Sequence, residues 1–117
     1  MVFSFGSDPY LLKLAYSGNF SRARFPLTES FKEHSNNSWV AMEGRSKLIQ
    51  DLEAYSGPYY ICDGLVNSEM CVPIFDGEGK VIGIIDAESY TKNFFTPKNT
   101  LYILRACVEL GNIHFGF

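Results

Sequence analysis

Two apolar segments joined by a short glycine-containing turn constrain this fold more than any other feature of the sequence. Residues 69–75 and 80–89 are rich in β-branched and apolar side chains, and Asp76-Gly77-Glu78-Gly79 separates them. Glycine adopts the positive φ angles that a tight turn between antiparallel strands requires. The sequence therefore predicts a β-hairpin at this point of the chain.

Four further strands are predicted upstream, at residues 2–5, 10–16, 20–27 and 46–51. Turn residues separate the first two, which indicates an antiparallel start, and Pro26 favours an edge position for the third. Residues 52–67 contain Gly57-Pro58 and Asp63-Gly64 and show no clean period, so a long loop is predicted there. Long loops in compact domains are often functional.

Two helices complete the predicted α+β arrangement. A short helix over residues 38–43 ends at Gly44, and Ser35, Asn36 or Asn37 can cap its front. A second helix is predicted over residues 97–110, because Thr96 is a good N-cap and Pro97 suits the first helical position. Its broad apolar stripe consists of Leu101, Ile103, Leu104, Cys107 and Val108.

Length, charge and cysteine usage exclude several classes of protein. The 117 residues fit one domain, and the net charge of −3, with no Lys/Arg cluster, gives no electrostatic basis for binding nucleic acid or a membrane surface. No apolar run approaches the length of a membrane span, and no signal peptide is visible, so a cytoplasmic location is expected. The cysteines and histidines lack metal-ligand spacing, so no metal site or cofactor is predicted from them, and Cys71 and Cys107 are expected in the core.

The hairpin brings acidic side chains together. If it closes symmetrically, Glu69 lies opposite Asp86, and Glu88 shares their face. Opposed carboxylates destabilise a strand pair by ~0.2–1 kcal/mol, and by more where they are partly buried. Such a patch needs a partner: a cationic ligand group, a metal, a lysine or arginine from elsewhere, or a proton held by one carboxyl. The alternative is that these acids are simply solvated, or that a bulge shifts the register by one residue.

The segment from Tyr59 to Phe95 resembles GAF domains. The shared elements are Ile61-Cys62-Asp63, then Asn67-Ser68-Glu69-Met70 with Pro73, and Gly83-Ile84-Ile85-Asp86 on the following strand. The combination of the Ile-Cys-Asp element with Ser-Glu and the later Asp looks closest to the free methionine-(R)-sulfoxide reductase branch. The resemblance implies a central, mostly antiparallel sheet with helices on one face and a loop-covered ligand pocket on the other.

Transferred residue by residue, the resemblance implies a catalytic thiol at Cys62 and pocket carboxylates at Glu69 and Asp86, with Glu88 where the family carries Asp. Asp63 and Ser68 are further expected ligand-binding residues. Carboxylates in such a pocket can hold the ammonium of a free amino acid and deliver a proton to a sulfoxide oxygen while the thiolate attacks sulfur.

The sequence departs from this branch in one chemically important respect: the family's resolving cysteines lie upstream, and no cysteine precedes Cys62 here. The predicted function is therefore a GAF module that binds a small polar, amine-bearing molecule. A working reductase that uses Cys62 with an external thiol is the alternative, and a purely structural dimerisation module is a third.

A homodimer is also expected. Residues 1–117 are interpreted as one GAF-like domain without the helix that usually precedes the first strand. Apolar sheet surface left bare by that early start would need a partner chain to cover it.

Overall fold

Two adjoining three-stranded antiparallel sheets form the framework of the protein. The computed structural model describes residues 2–5, 8–18, 22–57 and 64–113. The first sheet has the order β1-β2-β3, formed by Val2–Phe5, Asp8–Leu12 and Arg24–Pro26. The second has the order β4-β5-β6, formed by Lys47–Ile49, Ser68–Phe75 and Val81–Ser89. Strands β1 and β6 contact each other, which brings the two sheets together.

The predicted antiparallel start is confirmed and β1 has the predicted bounds, but β2 and β3 are shorter than expected. Strand β2 ends at Leu12 rather than at residue 16, and β3 covers three residues instead of eight. Beyond Leu12 the chain leaves the sheet and follows the wall of a cavity described below. Strand β4 is likewise shorter than the predicted span of residues 46–51.

The hairpin of β5 and β6 is confirmed, and its register differs from the symmetric prediction by two residues. Glu69 pairs with Glu88 rather than with Asp86, and Asp86 pairs with Cys71. Two causes are visible. The Asp76 carboxylate accepts hydrogen bonds from the backbone N–H groups of Glu78 and Lys80, which shapes the turn, and a bulge lies next to Phe75. Because side chains alternate with a period of two, this displacement leaves each acid on its predicted face.

Helix α2, Asn36–Glu43, lies on the acid-bearing face of the second sheet. Of the three predicted capping residues, Ser35 provides the cap, because its hydroxyl accepts from the N–H of Ser38. Gly44 ends the helix with φ +67°, the left-handed conformation predicted for it. A one-turn helix, α1 (Glu29–Lys32), precedes α2 and was not predicted from the sequence.

Helix α3, Pro97–Asn112, covers the opposite face of the second sheet and is capped by Thr96 as predicted. Cys107 packs there in a buried cluster with Met70, Val72, Ile74 and Phe95. The predicted apolar stripe is only partly buried, because the face that meets β5 is centred on Cys107. Three members remain exposed and form what we call the exposed stripe: Leu101, Leu104 and Val108.

The α+β class with mostly antiparallel strands is confirmed. Helices lie on both faces of the second sheet, α3 on one and α2 on the other, whereas the prediction placed them on one face only. Both cysteines expected in the core, Cys71 and Cys107, are buried. In the part of the chain that the structure describes, no helix is long and apolar enough to cross a membrane.

Candidate functional site

Three carboxylates converge on one face of the second sheet. Glu69 lies directly opposite Glu88, and Asp86 is the next residue along β6 on that face. One carboxylate oxygen from each of the three lies within 4.8 Å of the others. We call Glu69, Asp86 and Glu88 the acid cluster. The same three residues were predicted to share a face, although Asp86 instead of Glu88 was expected opposite Glu69.

The acid cluster lies at the edge of a cavity of about 500 Å³. Asp86 and Glu88 line this cavity, and Glu69 is buried behind them with 3% of its surface exposed. The rest of the lining is mainly apolar and includes Leu11, Leu12, Leu14, Tyr16, Phe25 and Ile84, with polar side chains at Lys13, Ser17 and Asn37. The cavity therefore combines a negatively charged wall with an apolar one.

Burial and neighbouring negative charge raise the pKa values of Glu69 and Asp86. Desolvation of Glu69 raises its pKa to about 7, and the negative charge of Glu88 contributes in the same direction. The pKa of Asp86 is raised well above its usual range, first by desolvation and then by the charges of Glu69 and Glu88. The Asp86 side chain is open to the cavity. Surrounding protein and two neighbouring carboxylates nevertheless favour its neutral form.

A chain of hydrogen bonds leads from the acid cluster to the start of the long loop. The Asn36 side-chain amide donates to Glu69 Oε1 at 2.8 Å, and Asn36 Oδ1 accepts from Lys47 Nζ at 3.0 Å. Lys47 also hydrogen-bonds the Tyr55 hydroxyl at 3.1 Å. A lysine was one of the predicted partners for the acids. Lys47 contacts them indirectly, through the side-chain amide of Asn36.

Asn36 and Lys47 were not identified as site residues from the sequence. The position of Lys47 depends on the pairing of β4 with β5, which places Lys47 opposite Cys71 and on the same face as Asp86. The position of Asn36 depends on how α2 docks on the sheet, and a single sequence does not encode that in a readable pattern.

The structure does not place the remaining predicted site residues at the acid cluster. Cys62 and Asp63 lie outside the described residues. Ser68 is buried at the start of β5 on the face opposite the acid cluster, and its hydroxyl donates to the carbonyl of Thr91 at 2.7 Å. The structure therefore does not bring Ser68 to the acids, because neighbouring residues of a strand face opposite sides.

The acid cluster is also the group of described residues that could hold a metal ion. Its donors are all carboxylate oxygens, which suit hard cations such as Ca²⁺ or Mg²⁺ rather than zinc. Cys71 lies on the same face, but burial and the nearby acids raise its pKa well above the usual thiol range. It is therefore a poor thiolate ligand and a poor nucleophile.

Comparison with known proteins identifies the family. The GAF domain family matches residues 5–113, so the chain belongs to it. A free methionine-R-sulfoxide reductase of Saccharomyces cerevisiae is 29% identical over 76 residues, covering 59% of this chain and 42% of that protein.

Solved structures agree with the fold. The free methionine-R-sulfoxide reductase of Neisseria meningitidis, in complex with its substrate, superposes with a TM-score of 0.72 at 24% identity, covering 87% of this chain and 57% of that one. A type II enzyme from Thermoplasma acidophilum gives 0.71 at 19% identity, with coverage of 87% and 72%. The chain thus spans about half the length of the yeast and Neisseria relatives.

Proposed function

We propose that this GAF domain binds a small, polar, amine-bearing molecule, with the amine against the acid cluster. The observation that carries the proposal is the convergence of three carboxylate oxygens within 4.8 Å at the wall of a cavity. Carboxylates so close repel one another and retain protons. An ammonium group replaces those protons with a cation that can donate three hydrogen bonds, so ligand binding relieves the repulsion.

The cavity also favours a particular shape of ligand. Its volume of about 500 Å³ falls in the range of small-molecule sites, and its apolar wall lies beside the acids. A ligand with an amine at one end and a short apolar chain at the other matches both surfaces. A free amino acid with an aliphatic side chain, such as methionine or its sulfoxide, belongs to this class.

Catalysis is the second candidate, favoured by the likeness to free methionine-R-sulfoxide reductases. In this reaction the Cys62 thiolate attacks the sulfur of the sulfoxide while a protonated carboxyl gives its proton to the sulfoxide oxygen. The sulfoxide is reduced to the thioether, and the cysteine is oxidised to a sulfenic acid. Two equivalents of an external thiol then restore the cysteine and release water and a disulfide.

Binding and turnover measured on the same variants separate the two candidates. Methionine-(R)-sulfoxide should bind the wild-type protein and the Cys62→Ser variant alike, but bind Asp86→Asn at least about tenfold more weakly, because a charge-assisted hydrogen bond is lost. Glu78→Gln, which removes a charge at the exposed hairpin turn, is the matched control.

Turnover is followed as methionine formed in the presence of dithiothreitol. If the wild type turns over and Cys62→Ser does not, the protein is a reductase. Binding to the acid cluster is then the first step of its reaction. Binding unaffected by Asp86→Asn would contradict the proposed role of the acid cluster.

A further inference from the structure

The side-chain amide of Asn36 has only one chemically possible orientation. A lysine ammonium can donate hydrogen bonds but cannot accept them, so the atom of Asn36 that faces Lys47 must be its oxygen. The nitrogen then necessarily faces Glu69, at 2.8 Å from Oε1. Lys47 therefore determines which end of Asn36 the acid cluster meets.

Lys47 is itself held in place by aromatic rings. Its Nζ lies 4.5 Å from the centre of the Trp39 ring and 5.8 Å from the centre of the Tyr55 ring, within the range of cation–π interactions. It also hydrogen-bonds the Tyr55 hydroxyl. These contacts restrict a side chain that is normally flexible, and they direct one of its N–H groups at Asn36.

Asn36 has little freedom of its own. Only 4% of its surface is exposed, and it is the first residue of α2, next to the capping residue Ser35. Its amide connects a buried carboxylate on β5 to a partly buried cation on β4, so both of its polar atoms have a partner. Loss of either partner would leave a buried polar group without its hydrogen bond.

On the basis of the function proposed above, we propose that Asn36 and Lys47 are positioning residues of the acid cluster. Lys47 fixes the amide of Asn36, and the amide holds Glu69 in the orientation from which the three carboxylates meet a ligand amine. Neither residue is among those that line the cavity. They act through Glu69 rather than on the ligand.

The charge on Glu69 depends on groups from four elements. Glu88 and Asp86 face it from β6, the Cys71 thiol is its neighbour on the same face of β5, Asn36 donates from α2, and Lys47 stands behind Asn36 on β4. Burial and Glu88 favour the protonated form of Glu69, and the hydrogen bonds with Asn36 and Asp86 oppose them by favouring the charged form. Weakening the hydrogen bond from Asn36 should therefore raise the pKa of Glu69.

The first test uses the protein without ligand. Carboxyl titration by NMR should show a higher Glu69 midpoint in Lys47→Met than in wild type, because Asn36 is no longer held in one orientation. Lys80→Met, which removes the same charge from an exposed site beside the hairpin turn, should leave the midpoint unchanged. A residue needed only for folding would lower the free energy of unfolding without moving the Glu69 midpoint selectively.

A second variant covers the case in which Lys47→Met does not fold. Asn36→Asp keeps the size of the side chain and its contact with Lys47, but it replaces the N–H donor by a carboxylate oxygen. The Glu69 midpoint should again rise. A midpoint equal to that of wild type in whichever variant folds would overturn the proposal.

Binding of methionine-(R)-sulfoxide by the same variants distinguishes this inference from the proposed function. We expect Lys47→Met to bind about tenfold more weakly than wild type and Lys80→Met to bind equally. Wild-type affinity in Lys47→Met would overturn the positioning role. If the wild type binds no amine-bearing ligand but the Glu69 midpoint still responds to Lys47→Met, the proposed function fails while the assignment of Asn36 and Lys47 to Glu69 stands.

Discussion

Substituting Glu69 with Gln tests the electrostatics of the acid cluster in the absence of any ligand. The ordinary pKa of glutamate is 4.5, and desolvation raises that of Glu69 to about 7. The folded protein therefore binds this proton more tightly than the unfolded chain does. The contribution of this proton to the free energy of unfolding is fully present below pH 4.5 and is lost as the pH rises through about 7.

The difference between those two pKa values corresponds to a loss of roughly 3 kcal/mol in the free energy of unfolding at pH 8. This is an upper value, because Asp86 belongs to the same cluster and can hold a proton in place of Glu69. Glutamine has the shape of glutamate, can accept the Asn36 hydrogen bond, and carries no charge to desolvate. Glu69→Gln should therefore be as stable as wild type at pH 4 and up to about 3 kcal/mol more stable at pH 8.

Urea unfolding at pH 4, 6 and 8 measures this difference directly. Glu109→Gln, an exposed substitution on α3, is the control and should match wild type at each pH. A Glu69→Gln protein that is clearly less stable than wild type at pH 8 would show that the charge of Glu69 does not destabilise the fold. Glu69 would then be an ordinary structural carboxylate stabilised by its hydrogen bonds.

Further predictions concern packing, capping, the thiols and assembly. Gly111→Ala should lower the free energy of unfolding by more than about 2 kcal/mol, because an added Cβ would clash with the carbonyl oxygen of Phe75; equal denaturant midpoints would contradict this. Ser35→Ala should cost about 1 kcal/mol in the same assay through loss of the α2 cap, and a neutral effect would argue against that cap. Cys71 and Cys107 should react with a thiol reagent only after unfolding, since both are buried with raised pKa values; fast labelling in native buffer would disprove it. The homodimer stays a prediction, now supported by the exposed stripe of α3, and sedimentation that finds only monomer at micromolar concentration would count against it.

Local chemistry explains which parts of the fold were predictable from the sequence. The β5–β6 hairpin, the Thr96 cap and the Gly44 terminus each depend on residues adjacent in the chain, and each is confirmed. The hairpin register was wrong because side-chain hydrogen bonds of Asp76 and a bulge beside Phe75 set it, and neither follows from alternation of apolar residues.

The acid cluster was still predicted correctly, because the hairpin register differed by two residues and such a shift leaves every side chain on the same face. Its supporting residues were less accessible to prediction. Asn36 and Lys47 come from elements distant in sequence from Glu69. The docking of α2 brings in Asn36, and the pairing of β4 with β5 brings in Lys47. The same limit applies to α3, where the sequence showed a broad apolar stripe but not which part of it faces β5.

Comparing one ligand with and without its amine tests whether the acid cluster binds that amine. Isothermal titration calorimetry of the wild-type protein with methionine-(R)-sulfoxide and with its N-acetyl derivative isolates the interaction between the amine and the acid cluster. Binding of the free amine should strengthen between pH 6 and pH 8, as Glu69, with a pKa of about 7, loses its proton. We expect saturable binding of the free amine and affinity at least about tenfold lower for the acetylated form. Equal affinity for the two compounds, or no binding of the free amine at either pH, would contradict it.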